Sequence, residues 1–551
     1  MTSADSNPAT SDGMGRASAI LAAGTIVSRV LGFAKGAVLA AAIGQVASAS
    51  GNAFGIANQL PNNIYALVAG GVLSAVLVPQ IVRAGLHKDG GQQFINRIVT
   101  LGIVVFAIVT IAATLAAPAL VRLYASQAPA GQAGFSAQAI TLATVLAYWC
   151  LPQIFFYALY SLLSEVLNAR RIFGPFTWAQ LNNVVAIAGL VVFMVTFGAA
   201  AENSSVDVWT PERVILLGST TTLGVAAQAL VLFLFWRRAG LRFVPDFRWR
   251  GVGLGVTGRA AGWLFGMVLI TQIAGVFQSR VATQSTTAGV AALANSWLIF
   301  MLPHSVVAVS IATAYFTRMS GHATNGDLTA VRRDLSSSLR SIGLLIVFSA
   351  VALSVVSMPF ARVYEEKFTN MQAMSAVILA YLPGLILFSM LFVIQRVFYA
   401  LGDTRTPFLL QCIQSGLFIV GALLCLLLPP AYIGVGIATV TSIAGSAQAV
   451  VAITVVRRRL GGMDGRLVLR RYLQYVLLAL AAGLVGIGVL AILGGFTDGG
   501  FALGSRLSAI ISIVVTGVLM AAVYFGLLAM LRNPELSAVT STLTTRFRRG
   551  R

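Results

Sequence analysis

The sequence predicts an all-α integral membrane protein with about 14 transmembrane helices, arranged as two pseudo-symmetric six-helix lobes and a C-terminal helix pair. Three observations support this prediction: an apolar composition, long stretches without charge, and basic residues confined to one side of the predicted spans. Hydrophobic residues make up 58% of the 551 positions, charged residues make up 10%, and the mean hydropathy is +0.88. Ordinary soluble domains are roughly 45–50% apolar, so this composition excludes a soluble globular protein.

Charge-free stretches mark the individual spans. A bilayer core needs about 20 helical residues, each rising about 1.5 Å, and residues 98–117 and 472–493 contain no charged side chain. Apolar runs separated by charged residues, proline and glycine predict the positions of the helices. The predicted helices begin near residues 18, 53, 97, 138, 176, 213, 258, 286, 336, 371, 408, 431, 471 and 507.

The basic residues are sorted by side. If the N-terminus is cytoplasmic, an even number of spans returns the C-terminus to the cytoplasm; 28 of the 37 Lys and Arg residues then lie on the inner side and five on the outer side. Short cytoplasmic loops carry such an excess, so the sequence predicts that both termini are cytoplasmic. The same placement explains the formal charge of +21 better than nucleic-acid binding does. The scattered cysteines and histidines have no metal-like spacing, so no metal site is predicted.

An internal repeat relates the two halves of the chain. Residues 151–169 match residues 382–400 at a constant offset of 231, and both copies begin with Leu-Pro. Equivalent helices run in the same direction, which predicts a parallel repeat of six helices, a recurrent arrangement in transporters. The predicted domains are a disordered cytoplasmic tail at 1–14, an N-lobe at 15–240, a C-lobe at 241–456, helices 13 and 14 at 457–532, and a basic cytoplasmic tail at 533–551.

Four basic residues fall inside predicted spans: Arg29, Lys35, Arg280 and Arg396. A charge inside the bilayer costs about 2.5–3.5 kcal/mol on insertion scales, so it usually faces a partner or a watery cavity. Arg29 and Lys35 are therefore candidates for an anion site, although an ideal helix places them about 240° apart unless it bends at Gly32. The alternative for Arg29 is that it snorkels to the cytoplasmic interface.

Arg280 lies toward the outer end of helix 7, which is the repeat counterpart of helix 1. Cations on two symmetry-related helices suit a phosphate-bearing substrate, because a guanidinium group binds phosphate in a bidentate manner. The alternative is that the polar run around Arg280 forms the outer connection and that Arg280 lies at the membrane interface.

Glu165 is the only acidic residue well inside a predicted span, and the repeat places it opposite Arg396. Both helices run from the outside to the inside, so both side chains are predicted near the cytoplasmic end. One hypothesis is that they pair across the pseudo-twofold axis as a cytoplasmic gate that is closed while the cavity faces out. The other is that each side chain is solvated at the inner mouth, where ion pairs contribute little.

Several motifs resemble the MurJ (MviN) family of lipid II flippases over nearly the whole chain. They are Ser-Arg-Val-Leu-Gly-Phe at residues 28–33, Gln-Leu-Pro-Asn at 59–62, and the longer segments 167–176 and 398–407. The resemblance implies a MATE-like fold of the MOP exporter superfamily, in which helices 13 and 14 form a groove for a long lipid tail. It also implies that Arg29 and Lys35 bind the diphosphate of the substrate.

The chain departs from the family pattern in the expected cavity. Asn52 and Gly36 stand where the family commonly has acidic residues, and Ile64 and Tyr65 stand in place of a basic pair. The cavity is therefore expected to be less charged than the family pattern. Three explanations are open: Arg280 supplies the missing cation, this branch needs fewer charges, or its substrate differs.

The resemblance leads to the hypothesis of a non-enzymatic lipid II flippase in the bacterial plasma membrane, which moves the undecaprenyl-diphosphate-linked peptidoglycan precursor to the outer leaflet by alternating access. Its expected partners are lipid II, membrane lipids and cell-wall synthesis proteins. No cofactor is expected, and the membrane potential or an ion gradient is the expected driving force. The alternatives are another exporter of the superfamily, either a polysaccharide-lipid flippase or a drug/cation antiporter, and a non-transporting cell-wall scaffold. The residues assigned to the substrate are Arg29, Lys35, Arg280, Asn52, Gln59 and Asn62, and those expected to order a cytoplasmic turn are Asp403 and Arg405.

Overall fold

The computed structural model describes residues 27–68, 92–127, 134–170, 172, 181–238, 240–248 and 258–537. These residues are almost entirely helical and contain no strand, which confirms the predicted all-α class. The predicted tail at 1–14 and the last fourteen residues of the predicted tail at 533–551 lie outside the described residues.

The helices of the N-terminal half alternate between long spans and short connecting elements. In chain order they are α1 (27–43), α2 (Ala49–Val68), α3 (Gln92–Leu115), α4 (Ala117–Tyr124), α5 (Ala137–Cys150), α6 (Gln153–Ala169), α7 (Leu181–Phe197) and α8 (Pro211–Trp236).

The C-terminal half has the same kind of organisation, with one irregular turn. A π-helical turn, His304–Ala308, follows the proline that ends the first of two consecutive helices. In chain order the helices are α9 (Gly258–Ala282), α10 (Val290–Pro303), α11 (Val309–Thr324), α12 (Leu328–Val355), α13 (Ser357–Tyr364), α14 (Phe368–Tyr381), α15 (Pro383–Ala400), α16 (Arg405–Leu424), α17 (Ile433–Arg459), α18 (Gly465–Ile492) and α19 (Arg506–Met530).

Eleven helical segments of the described residues are long and apolar enough to cross a membrane, and α7 is apolar but shorter. Three of the eleven, Ala137–Asn168, Val290–Thr324 and Phe368–Ala400, contain a Leu-Pro step. Proline removes a backbone donor and disturbs the helix at that point. The multi-spanning architecture is thus confirmed, while the total of about 14 spans stays a prediction.

The helix bounds reproduce the sequence repeat. Helix α5 and helix α14 begin and end 231 residues apart, and α6 and α15 end 231 residues apart. The eight-residue helices that precede them, α4 and α13, also correspond: each ends in tyrosine, and each has an arginine two residues earlier, Arg122 and Arg362. The repeat is therefore visible in backbone structure as well as in sequence.

The described residues form two compact units. The first comprises the described parts of Met1–Gly44, Ala49–Gln127 and Phe135–Gln272; the second comprises those of Gln45–Ser48, Ala128–Gly134 and Ile273–Arg551. The segment Gln45–Ser48, four of the five residues between α1 and α2, thus belongs to the second unit, although its sequence neighbours belong to the first.

Tyrosines anchor helices α18 and α19 to α12 in the second unit. The buried hydroxyl of Tyr472 donates to the carbonyl of Leu339 at 2.9 Å, and that of Tyr524 donates to the carbonyl of Leu344 at 2.8 Å. A Cβ at Gly343 would lie 2.5 Å from the Tyr472 ring, so the glycine makes room for it. Close approach at small residues stabilises helix pairs in lipid, where apolar burial supplies little attraction.

We expect Gly434→Ala to lower the melting temperature of the detergent-solubilised protein. Gly434 is buried in the first turn of α17, where a Cβ would clash with the carbonyl oxygen of Ala288, and overpacking costs about 1–3 kcal/mol. Gly445→Ala on the same helix is the matched control, because a Cβ there meets nothing within 4 Å and alanine favours the helix. Equal melting temperatures for the two variants would contradict this packing.

Candidate functional site

Helix α1 carries two of the predicted cations. Its backbone is helical from residue 27 to residue 43, through Gly32. Arg29 is exposed and Lys35 is half-buried, and neither forms a hydrogen bond or ion pair with another described residue.

Helix α2 carries the predicted amides. Asn52 is buried, Gln59 is half-buried and Asn62 is exposed. Asn52 and Gln59 are seven residues apart and share a helix face, whereas Asn62 lies about 80° from Asn52 around the helix. Asn63 falls on the face of Asn52 and Gln59, and its amide donates to the hydroxyl of Tyr124 at 3.3 Å. Asn63 therefore also belongs to the polar face of α2, although the sequence motifs did not identify it.

Arg280 lies in the last turn of α9, in the second unit, and its side chain is exposed. The hydroxyl of Thr283 donates to the Arg280 carbonyl at 2.7 Å, which closes the end of the helix. A cation at this position also complements the negative end of the helix dipole. Arg280 therefore has a structural role at the end of α9, while its role in anion binding stays a prediction.

Glu165 lies on α6 of the first unit and is half-buried. The hydroxyl of Tyr65 is close enough to interact electrostatically with it and also takes part in a hydrogen bond with Ser161. The ring of Tyr65 lies 5.8 Å from that of Tyr157. The Glu165 carboxylate is therefore within electrostatic range of the Tyr65 hydroxyl.

Arg396 lies on α15 of the second unit with aromatic rings around it. Its guanidinium carbon is 4.5 Å from the ring centroid of Phe392, 5.7 Å from that of Phe316 and 5.9 Å from that of Tyr399. Cation–π contacts of this kind stabilise an arginine in a desolvated setting. The predicted pairing of Arg396 with Glu165 stays a prediction.

Asp403 organises the turn between α15 and α16. Its carboxylate accepts from the Thr406 backbone N–H at 2.9 Å and from the Thr406 hydroxyl at 2.7 Å, and it pairs with Arg459 at 2.8 Å. Burial raises the pKa of Asp403, but the bonds from Thr406 and the charge of Arg459 outweigh it and leave the pKa below its usual value. Arg405, the other residue assigned to this turn, is exposed at the start of α16.

A buried carboxylate in the second unit was not among the predicted site residues. Glu365 follows α13 and accepts from the Val46 backbone N–H at 2.9 Å and from the Asn370 amide at 3.0 Å. Burial raises its pKa, against the effect of these hydrogen bonds. The Ala47 N–H donates to the Thr287 carbonyl at 2.9 Å, so the segment Gln45–Ser48 is held at several points. No local sequence signal could have identified Glu365, because Val46 is 319 residues away.

Two other buried titratable groups lie on second-unit helices. Asp334 on α12 is only 3% exposed, and its carboxylate pairs with Arg318 at 2.6 Å. Glu165, by contrast, is half-buried. The Nδ1 of His304, in the π-helical turn, lies 3.1 Å from the Ser389 hydroxyl. The ring of His304 is 5.2 Å from that of Phe392, which also contacts Arg396. The π-helical turn could not be read from the sequence, and such turns often occur at functional sites.

Comparisons with known proteins agree with the fold and with the sequence motifs. A family profile described as "Lipid II flippase MurJ" matches residues 39–506. A protein from Rickettsia prowazekii named "Probable lipid II flippase MurJ" is 24% identical over 444 residues, which cover 78% of this chain and 81% of that protein. A protein of the same name from Haemophilus influenzae is 26% identical over 443 residues, which cover 76% of this chain and 82% of that protein.

Solved structures show the same fold. One described as "Lipid II flippase MurJ, inward closed conformation" matches with a TM-score of 0.70 and 19% identity, covering 93% of this chain and 100% of that chain. A multidrug resistance MATE family transporter of the MOP superfamily matches with a TM-score of 0.61 and 16% identity, covering 80% of this chain and 96% of that chain. The MATE-like architecture expected from the sequence is therefore confirmed.

We expect Glu365→Ala to speed amide hydrogen exchange at Val46 by roughly tenfold or more, because the amide loses an acceptor that is charged. Glu365→Gln keeps an acceptor oxygen and should retain most of the protection. Glu366→Ala is the matched control: its side chain is 71% exposed and pairs with Arg506. Unchanged exchange at Val46 in Glu365→Ala would show that the carboxylate does not hold this segment.

Proposed function

The chain belongs to the MurJ family of lipid II flippases, and from this we propose that it moves lipid II, the undecaprenyl-diphosphate-linked peptidoglycan precursor, from the cytoplasmic to the outer leaflet of the bacterial inner membrane. The match of the family profile over residues 39–506 carries the proposal. The flipped molecule keeps all its covalent bonds, so the task is to bind a charged headgroup and to give it a path across the bilayer.

The cations of α1 are the proposed diphosphate ligands. They precede the profile match, so their role rests on physical grounds: Arg29 and Lys35 lie on an N-terminal helix in which charge is costly, and neither has a partner among the described residues. An incoming diphosphate would offset that cost. Arg29 presents a planar fork that binds phosphate oxygens in pairs, and Lys35 supplies a more compact charge.

Amides complete the proposed headgroup site. Asn52 and Gln59 share a face of α2 and offer donors and acceptors without adding net charge. Asn62 contributes from an adjacent side of that helix, and Arg280 is the further cation assigned to the substrate. A site with few charges and several amides suits a ligand that must be released again after crossing.

Alternating access is the proposed transport cycle, with both termini in the cytoplasm. Movement of charge through the membrane potential would contribute about 2.3 kcal/mol per elementary charge per 100 mV, and an ion gradient is the alternative source of energy. Cell-wall synthesis proteins are the proposed partners, since they consume the flipped precursor.

The similarity to MATE transporters favours a drug/cation antiporter as the second candidate. An antiporter needs a carboxylate that binds Na⁺ or H⁺, and the described residues include three buried ones: Asp334, Glu365 and Glu535, the last of which pairs with Arg340. Asp334 is neutralised by Arg318, and Glu365 lies between membrane spans. The flippase is therefore the better-supported proposal.

We expect Arg29→Ala and Lys35→Ala each to abolish growth rescue of a bacterium depleted of its own flippase, at normal membrane levels of the variant, because each removes a ligand of the diphosphate. Arg237→Ala is the control, since Arg237 is an exposed basic residue at the end of α8. Full rescue by a triple variant of Arg29, Lys35 and Arg280 to alanine would eliminate the proposed site.

A charge swap tests the proposed cytoplasmic gate. We expect Glu165→Arg alone to abolish transport, because it replaces the proposed attraction with Arg396 by repulsion, and the double variant with Arg396→Glu to recover at least part of it in the same rescue assay. If the double variant recovers nothing while reaching normal membrane levels, the pairing hypothesis fails.

A further inference from the structure

A cavity of about 650 Å³ lies beside the short turn that joins α17 to α18, within the second unit. Three arginines line it: Arg332 from α12, Arg457 from the end of α17 and Arg466 from the start of α18. The site already proposed for the substrate does not include any of these residues.

The turn is built around Arg332. The Nε of Arg332 donates to Asp464 Oδ1 at 3.0 Å, and a second nitrogen of the same guanidinium contacts that oxygen. Asp464 has φ +49°, which is unfavourable for a residue with a side chain, so the ion pair helps to hold an uncommon backbone conformation. A Cβ at Gly462 would lie 2.6 Å from the Arg332 guanidinium, so the loop closes over it. The ion pair between Arg332 and Asp464 therefore stabilises the turn that lines the cavity.

Two positive charges remain in the cavity after this pairing. Asp464 neutralises Arg332, whereas Arg457 and Arg466 are exposed and form no ion pair with another described residue. Asp464 is the N-cap of α18 but makes no side-chain cap bond, so the first N–H groups of the helix are not capped by it. Two guanidinium groups and a helix N-terminus together favour a phosphate group.

The position of the cavity points to a lipid as the source of that phosphate. The turn connects two membrane spans, Pro430–Arg459 and Gly465–Ile492, so the cavity lies where a span meets the headgroup region. Leu467 and Leu469, which line it, are 41% and 61% exposed. A row of exposed leucines continues from there along α18, at Leu473, Leu477, Leu480 and Leu484.

We propose that this cavity binds the phosphodiester headgroup of an anionic membrane phospholipid, with its acyl chains along the exposed leucine row of α18. Arg457 and Arg466 hold the phosphate, while Arg332 and Asp464 shape the turn that presents them. The excess of basic residues places this turn on the cytoplasmic side, where anionic lipids are abundant and basic pockets between helices bind their headgroups.

Native mass spectrometry of the full-length protein in detergent tests the site. We expect phosphatidylglycerol to remain bound and phosphatidylcholine with the same acyl chains to dissociate, because only the former has a net negative headgroup. Arg457→Gln combined with Arg466→Gln should weaken phosphatidylglycerol binding about thirtyfold, because each arginine near the membrane surface raises the affinity about fivefold and the two factors multiply. Arg457→Lys with Arg466→Lys keeps the charges and should retain binding within about threefold.

The matched control is Arg458→Gln combined with Arg470→Gln. It removes the same charge from exposed positions of the same two helix ends, and neither residue lines the cavity. We expect it to change phosphatidylglycerol binding less than about threefold, as a general surface effect. Equal weakening by the two double glutamine variants would overturn the proposal, because binding would then depend on net charge alone.

Two competitors separate the possible sources of phosphate. We expect millimolar inorganic phosphate not to displace phosphatidylglycerol. We also expect undecaprenyl diphosphate not to displace it when the two lipids are present in the detergent micelles at equal mole fractions. Displacement by inorganic phosphate would show a simple anion site, and preferential binding of undecaprenyl diphosphate would assign the cavity to the transported substrate. Either result would overturn the lipid proposal without bearing on the proposed flippase activity, which the growth-rescue variants of Arg29 and Lys35 test separately.

Discussion

The cost of placing charge in a hydrocarbon layer is the constraint on which the rest of this structure depends. It explains the predicted sorting of most basic residues to one side of the spans, and it draws attention to the few cations within predicted spans. Arg396 meets the constraint with three aromatic rings. Arg29 and Lys35 have no such support among the described residues, so an anionic ligand is the natural compensation.

The two copies of the repeat carry opposite charges at equivalent backbone positions. Glu165 and Arg396 occupy equivalent positions on α6 and α15, whose C-terminal ends are 231 residues apart. Within its own unit, Glu165 interacts electrostatically with the Tyr65 hydroxyl, and Arg396 lies 4.5 Å from the centroid of the Phe392 ring. The two copies therefore share a backbone arrangement but carry opposite charges at this equivalent position.

Acidic residues at the ends of helices neutralise selected arginines and leave others available. Asp403 pairs with Arg459 and Asp464 pairs with Arg332, and both carboxylates also shape the turns in which they lie. Arg457 and Arg466, close by in the chain, keep their charge unpaired among the described residues. The turns of the basic side are therefore structural supports as well as surfaces for anionic lipid headgroups.

The sequence by itself determined the fold class, the repeat and the helices that carry the proposed cations, because apolar periodicity, charge sorting and a constant offset are local or additive properties of the chain. It could not determine that Glu365 holds Val46 or that three arginines from three helices surround one cavity. Those arrangements join residues up to hundreds of positions apart, and only the packing of helices in three dimensions decides which distant side chains become neighbours.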